Sequence, residues 1–188
     1  MSDAATTERL LTAEDLAARP ADGSRHELVQ GRLVTMPPAG EEHGARGMTV
    51  MAYVGHWAEE HGLGRTYLAE TGFLLRRDPD TVLAPDGALI SRDRLPATLA
   101  GGFATTLPDL VLEVVSPSDS QHEVLGKVGE WLDAGVQVVW VLWPRAQCLQ
   151  VWRAGHEALT LQPDDTLTCP DLLPGFELPL RRVFKEPA

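Results

Sequence analysis

Residues 108–143 read PDLVLEVVSPSDSQHEVLGKVGEWLDAGVQVVWVLW, and the choice of fold class rests on this segment. Its nearly unbroken apolar runs at 109–115 and 137–143 are typical of strands that are covered on both faces. Between them, apolar residues recur at helical spacing over about 120–134. A strand, a helix and a neighbouring strand in this order form a right-handed parallel crossover. We therefore predict an α/β domain in which the first of these strands is central.

The preceding part of the chain supplies a long helix and several strands. Residues 42–60 are predicted to form a helix that is buried on a face of mostly small side chains. That face comprises Gly44, Ala45, Met48, Met51, Ala52, Gly55 and Ala58. Strands are predicted at 65–70 and 72–77, with one bent strand as the alternative, and a further strand at 82–90 is interrupted by Pro85.

Shorter elements flank this core. Thr12 can cap a helix that runs through Arg19. Gln30-Gly31 lies between two apolar runs, as in a tight hairpin. A second hairpin is predicted to turn at Ala154-Gly155, and the Pro- and Gly-containing tail after it is unsuited to a long helix.

Length and composition fit a cytoplasmic chain in which residues 1–25 form an N-terminal helix and connector and residues 26–188 form a single domain. Lys and Arg number 16 against 27 Asp and Glu, a net charge of −11, which excludes a generally basic protein that coats phosphates. Cys148 and Cys169 form no CxxC pair, so we expect two free thiols. No basic and apolar leader opens the sequence, and no apolar run is long enough to cross a membrane.

Two acidic residues stand out in the apolar strands. Glu113 lies between Leu112 and Val114, where a carboxylate is costly unless a metal, a cation or hydrogen bonds stabilise it. Asp86 follows Pro85 at a strand interruption, where a side chain can point into a cleft. Carboxylates from neighbouring strands could together bind a hard divalent ion such as Mg²⁺, which activates water and neutralises phosphate charge.

Lys127 is the third candidate, because it lies at the edge of the apolar stripe of the helix that follows Glu113. Its ammonium could orient a water molecule or stabilise a phosphate oxygen. Structural roles are the alternatives for all three residues. Asp86 could be a turn residue after proline, Glu113 could pair with an arginine, and Lys127 could be solvated.

Other chemistry has less support. His43, His56 and His61 lack the spacing of zinc ligands on one helix face, and neither a GxSxG elbow nor a GxGxxG or P-loop motif is present. His26, Glu27 and His43 could flank a cleft, although capping or surface roles would also account for each of them.

Several segments together resemble one family. HELVQGRLVTMPPAGEEHG (26–44), LAPDGALI (83–90), PDLVLEVVSPSDS (108–120) followed by Lys127, and AGVQVVWVLWP (134–144) are similar to the Uma-type restriction-endonuclease family, a branch of the PD-(D/E)XK nuclease superfamily. The resemblance implies a restriction-endonuclease-like core, that is, a mixed central β-sheet flanked by helices, with additional β-hairpins here.

The resemblance also implies roles for single residues. Asp86 matches the first metal-binding acid of the family and Glu113 the acid of the second motif. Val115 stands where the simple motif has its lysine, and Lys127 on the following helix looks like the replacement. Glu27 and His43 match the N-terminal pattern as possible accessory residues.

The hypothesis that follows is Mg²⁺-dependent hydrolysis of DNA phosphodiester bonds, with Mn²⁺ as a possible substitute and a homodimer as a reasonable assembly for double-strand cleavage. A DNA enzyme usually presents a positive track, and one could be formed by arginines near the motif strands, which are Arg65, Arg76, Arg77, Arg92 and Arg94. One alternative is an inactive module of the same fold that recognises a protein through a Trp-rich surface. Another is a hydrolase of some other phosphoester.

Overall fold

A six-stranded mixed sheet lies at the centre of the protein. The computed structural model describes residues 9–20, 23–99 and 101–185. The helices are α1 (Ala13–Ala17), α2 (Glu41–Glu60), α3 (Gln121–Asp133) and α4 (Arg181–Phe184). The strands are β1 (Arg25–Val29), β2 (Arg32–Met36), β3 (Gly64–Leu68), β4 (Phe73–Arg76), β5 (Thr81–Leu83), β6 (Gly87–Ser91), β7 (Leu110–Val114), β8 (Val138–Trp143), β9 (Cys148–Trp152), β10 (Leu159–Leu161), β11 (Thr166–Cys169) and β12 (Leu173–Pro179).

The central sheet has the strand order β10-β9-β8-β7-β6-β3. Strands β7 and β8 are parallel, with Leu110 opposite Val138 and Val114 opposite Leu142, and α3 connects them. The other neighbouring pairs of this sheet are antiparallel. The predicted mixed sheet, its central strand at 109–115 and its parallel crossover are therefore confirmed.

The chain passes from one sheet to another at Pro85. Before it, β5 belongs to a four-stranded sheet of order β2-β1-β5-β4, whereas β6, after it, pairs with β3 and β7 in the central sheet. Proline has no backbone N–H and cannot donate a ladder hydrogen bond, which explains why neither strand includes it. Asp86 lies at this transfer point, between the two sheets.

The two faces of the central sheet are covered differently. On one face, α3 packs Val124, Val128 and Trp131 into a buried cluster that includes residues of β4 to β8. A capping box between Ser120 and Glu123 starts this helix. On the other face, α2, the β11–β12 hairpin and α4 share a second buried cluster with the sheet.

The buried face of α2 differs from the predicted one. Gly44, Ala45, Met48 and Ala52 are exposed, and Met51 and Ala58 are the buried members of the predicted set, with Gly55 half-buried. The helix instead buries Gly47, Val50 and Val54 together with Met51 and Ala58. The physical reason is that branched valine side chains remove more apolar surface from water than glycine and alanine do.

The N-terminal elements follow the prediction closely. Thr12 forms a capping box with Asp15, although α1 ends at Ala17 rather than at Arg19. The turn between β1 and β2 places Gln30 at φ +51° and Gly31 at φ +77°, as in a two-residue hairpin. A Cβ at Gly31 would also lie 2.7 Å from the Cβ of Leu10. Residues 1–8 and 21–22 of the predicted helix and connector lie outside the described residues.

The C-terminal part contributes more to the core than its sequence suggests. Strands β9 and β10 form the predicted hairpin around Ala154-Gly155. Beyond it, β11 and β12 pair antiparallel, and α4 adds one short helix. Their buried apolar residues include Leu167, Leu173, Phe176, Leu178, Leu180, Val183 and Phe184.

Both cysteines have free thiols, as predicted; Cys148 is half-buried and Cys169 is buried. Burial raises the pKa of each thiol above its ordinary value. Within the described parts of the chain, none of the helices combines the length and apolar character that a bilayer crossing requires.

Candidate active site

Glu113 occupies the buried strand β7 and faces α3. The alternation along β7 sends Leu112 and Val114 to the α2 side, and the Glu113 side chain to the α3 side. There the indole N–H of Trp131 donates a 2.7 Å hydrogen bond to Glu113 Oε1. Burial, together with the charges of Asp86 and Glu27, raises the pKa of Glu113 to about 7, although the charge of Lys127 opposes this.

Asp86 lies beside Glu113, just before β6 and near the C-terminal end of β7. Gly87 is paired with Leu112, so the register carried one residue further places Asp86 opposite Glu113. The backbone N–H of Val114 donates a 2.8 Å hydrogen bond to Asp86 Oδ2 and fixes the carboxylate. A Cβ at Gly87 would lie 2.5 Å from Met51, so this glycine allows α2 to approach β6 next to the acid.

Lys127 projects from α3 toward two buried acids, Glu27 on β1 and Glu113 on β7. Its Nζ is 2.8 Å from Glu27 Oε2 and 4.0 Å from Glu113 Oε2. Burial alone would lower the pKa of Lys127, but the charges of Glu113 and Glu27 outweigh that effect and raise it. The ammonium is therefore held in its charged form next to Glu113.

Glu27 anchors this lysine from the hairpin sheet. Its side chain is fully buried on β1, and its Oε1 accepts hydrogen bonds from Lys127 Nζ at 3.0 Å and from the backbone N–H of Ala84 at 3.0 Å. Ala84 belongs to the segment that leads into Asp86. Glu27 therefore joins three elements, β1, α3 and the loop that carries the acid.

His43 and Arg25 approach Asp86 from two other elements. His43, in the first turn of α2, places Nε2 3.2 Å from Asp86 Oδ2, and Arg25 places Nη2 3.7 Å from Asp86 Oδ1. Burial lowers the pKa of His43, but the hydrogen bond and charge of Asp86 outweigh it, and the net shift is upward. All five predicted residues, Asp86, Glu113, Lys127, Glu27 and His43, therefore lie in one cluster.

The sequence did not reveal three members of this cluster. Arg25 belonged to the predicted connector before residue 26, where nothing marked it as part of a site. Trp131 looked like part of an apolar stripe, although it lies four residues after Lys127 and so on the same helix face. The Val114 N–H is a backbone group, and sequence patterns do not show which acceptor such a group meets.

The donor set of the cluster suits a hard cation better than a zinc ion. Within residues 9–20, 23–99 and 101–185, no three His, Cys, Asp or Glu side chains are arranged to hold one ion together. The acid pair Asp86 and Glu113 remains, and Mg²⁺ is commonly held by one or two carboxylates while it keeps several waters. Burial is the main cause of the raised pKa of Glu113, and the charges of Asp86 and Glu27 add to it. A cation bound beside this carboxyl would favour its ionised form.

Three of the five arginines that could have formed a positive track are neutralised. Arg76 pairs with Glu130 at 2.9 Å, and Arg77 pairs with Glu14 and Asp80, each at 2.8 Å. Arg94 pairs with the buried Asp109. Of that set, only Arg65 and Arg92 make no ion pair with a described carboxylate, so neighbouring acids already offset the charge of the other three.

Comparisons with known proteins agree with this fold and extend over most of the chain. A crystal structure from Anabaena variabilis ATCC 29413, described as a putative nuclease belonging to DUF820, is similar with a TM-score of 0.79 and 21% sequence identity, over 93% of this chain and 97% of that one. No curated protein matches the sequence. The model of the family Uma2, described as "putative restriction endonuclease", matches residues 13–181. The chain therefore belongs to the Uma2 family.

Proposed function

We propose that the protein is a nuclease that hydrolyses DNA phosphodiester bonds with the help of Mg²⁺, for which Mn²⁺ could substitute. The observation that carries the proposal is the meeting of three side chains near the C-terminal end of β7: Asp86 from the segment before β6, Glu113 from β7 and Lys127 from α3. The family match supports the same class of activity. Buried ionisable groups with strongly shifted pKa values are typical of functional sites.

Asp86 and Glu113 are the residues that would hold the ion. When bound, Mg²⁺ supplies a Lewis acid that neutralises charge on a phosphate and lowers the pKa of a coordinated water. Both carboxylates are fixed before any ion arrives, because Val114 N–H holds Asp86 and Trp131 N–H holds Glu113. Such fixed ligands lose little conformational freedom on binding.

Lys127 would act on the phosphate or on the attacking water. An ammonium has three N–H donors, and the pairing with Glu27 leaves donor capacity toward Glu113, 4.0 Å away. A charged donor beside the metal-binding acids can stabilise the negative charge that develops on a phosphate oxygen. Glu27 is the residue that holds the ammonium in that place.

His43 and Arg25 would position Asp86. Each contacts a different oxygen of that carboxylate, so together they restrict its rotation. The upward shift of the His43 pKa means that Asp86 stabilises the charged imidazole. In this proposal both residues act through Asp86 rather than on the substrate.

The inactive-module alternative loses the feature on which it rested. All five tryptophans of the chain are buried or half-buried, so they do not form an exposed Trp-rich surface for a protein partner. No other observation among the described residues favours that function over hydrolysis.

The test is a cleavage assay on plasmid DNA, linear duplex DNA, RNA and a small phosphodiester, each with Mg²⁺, with Mn²⁺ and with a chelator. We expect metal-dependent cleavage of DNA that is lost in Asp86→Asn, Glu113→Gln and Lys127→Met. Asp93→Asn, a change at an exposed acid of the 92–94 turn, is the matched control and should cleave normally. Wild-type rates in Asp86→Asn or Glu113→Gln would refute the proposal. Cleavage of the small diester alone would mean that the substrate is a phosphoester other than DNA.

A further inference from the structure

Cationic side chains cluster at the C-terminal end of the described chain. Arg181, Arg182 and Lys185 are exposed, and together with Gln147, Pro163 and Phe184 they line a shallow recess of about 430 Å³. We call these three cations the tail patch. None of them makes an ion pair with a carboxylate of the described residues, whereas Arg76, Arg77 and Arg94 all do.

The tail patch lies at the same edge of the molecule as the acid pair, because strand β8 ends there. Since β7 and β8 are parallel and Val114 is opposite Leu142, the end of β8 lies beside Glu113. The turn after β8 carries the exposed Arg145 and reaches Gln147, which lines the recess of the tail patch.

A second connection runs through α2. Arg46, one helical turn after His43, donates a 2.8 Å hydrogen bond from Nη1 to the backbone oxygen of Val183 in α4. His43 in turn contacts Asp86 at 3.2 Å. The first turns of α2 therefore contact both α4, which carries the tail patch, and Asp86, which is proposed to bind the metal.

Two neighbouring acids, Asp165 and Glu42, do not neutralise the positive charge of the tail patch. Asp165 lies beside α4 through its backbone, since Leu180 N–H donates to its carbonyl at 2.9 Å. Its carboxylate accepts a hydrogen bond from the N–H of Gln162 at 2.7 Å and forms no ion pair with the described cations of the tail patch. Glu42, in the first turn of α2, is paired with Arg46 at 2.9 Å.

From this placement we infer that the tail patch binds the phosphate backbone of a nucleic acid on one side of the scissile phosphate. The inference rests on the proposed function, and it names the surface on which a protein of net charge −11 would hold a polyanion. Unpaired cations attract phosphates because binding releases the counterions that surround the nucleic acid. Phosphate contacts of this kind set position and affinity and carry no base specificity.

The test compares two double variants with the same change in charge. Arg181→Gln/Lys185→Gln removes two cations of the tail patch and spares Arg182, whose guanidinium also bonds Tyr53 at 2.6 Å. Arg19→Gln/Arg32→Gln removes two exposed arginines elsewhere. Arg32 lies at the turn end of the β1–β2 hairpin, paired with Val29, whereas Arg25 lies at the other end. Binding to a short fluorescent DNA duplex is followed by polarisation over a range of salt concentrations, with Ca²⁺ in place of Mg²⁺ to limit cleavage.

We expect the tail-patch variant to bind on the order of tenfold more weakly near 0.1 M salt, with a slope of log K against log salt that is about two smaller in magnitude. The control variant should keep the wild-type slope. Equal weakening in both variants would mean that only net charge matters, and an unchanged tail-patch variant would mean that these cations do not touch the duplex. Either result overturns the inference.

The same proteins separate this inference from the proposed chemistry. If the tail-patch variant loses affinity but saturated wild-type protein cleaves no DNA with Mg²⁺ or Mn²⁺, the binding surface stands and the nuclease proposal fails. If wild-type protein cleaves and the tail-patch variant shows a raised KM with an unchanged kcat, the binding surface and the nuclease proposal both stand. Such a change means that the lost contacts bound the substrate and the transition state equally. If wild-type protein does not bind duplex DNA at any salt concentration, the surface is refuted.

Discussion

Trp131 and Glu113 form a buried hydrogen bond, with the indole Nε1 2.7 Å from the carboxylate Oε1. The indole is fully buried and Glu113 is 8% exposed, so water has little access to either partner. The bond joins α3 to the central strand β7 on the same helix face that carries Lys127. Trp131 thus connects the apolar core beneath α3 to the acid that is proposed to bind the metal.

The first prediction concerns the loss of this N–H donor. Trp131→Phe keeps an aromatic ring but leaves Glu113 Oε1 without its donor in a buried site, so we expect a loss of about 1–3 kcal/mol in the free energy of unfolding. The measurement is denaturation in urea at neutral pH. Trp140→Phe is the matched control, because Trp140 is equally buried and its Nε1 has no hydrogen-bond partner. A loss no larger in Trp131→Phe than in Trp140→Phe would contradict the role of the bond.

The candidate residues could be predicted because they break the pattern of their surroundings. Glu113 is an acid in an otherwise apolar strand, and Asp86 follows a proline that interrupts another. A buried charge requires a compensating group, so such exceptions indicate chemistry or an ion pair. The crossover around 108–143 was predictable for the same reason, since continuous apolar strands on both sides of an amphipathic helix leave few arrangements.

The partners of these residues could not be predicted, because they come from distant parts of the chain. Lys127 meets Glu27 across 100 residues, and the two sheets that bring them together separate at Pro85. The sequence likewise did not show which face of α2 is buried, because Gly44 and Met48 fit a helical stripe as well as Val50 and Val54 do. Only the packed structure shows which stripe removes more apolar surface from water.

The second prediction is a pH dependence of stability that arises from Glu113. Its pKa rises from 4.5 to about 7 on folding, so the folded protein binds this proton more tightly than the unfolded chain. The free energy of unfolding should therefore fall as pH rises between 4.5 and 7, by on the order of 3 kcal/mol from this group. The measurement is the Tm of wild type against Glu113→Gln without metal. The wild type should lose stability relative to the variant between pH 5 and pH 8, and a constant difference across this range would exclude the shift.

The third prediction concerns the pairing of Lys127 with Glu27. Lys127→Met leaves the fully buried Glu27 without its counter-ion, and we expect a destabilisation of about 3–5 kcal/mol. Glu27→Gln/Lys127→Met should lose much less than the sum of its single variants, which a double-mutant cycle measures in urea.

The more exposed ion pair of Arg76 and Glu130 provides the reference for that cycle. Arg76 is 44% exposed, so its pairing should show a coupling of about 1 kcal/mol or less. If the Glu27–Lys127 coupling is as small as this reference, Glu27 does not hold the ammonium, and the positioning role that we assign to it is wrong.

The last prediction tests the metal site without any substrate. If Mg²⁺ binds where the folded chain brings Asp86 and Glu113 together, as we propose, it should raise the Tm of the wild type, and a concentration 100 times Kd corresponds to about 2.7 kcal/mol. A chelator should reverse the rise. Asp86→Asn and Glu113→Gln should show no rise, whereas Asp93→Asn, which alters an exposed acid on the 92–94 turn, should respond like the wild type. An equal rise in all four proteins would mean that Mg²⁺ acts on the general negative charge of the surface, since a shift that survives the removal of either ligand cannot come from the acid pair.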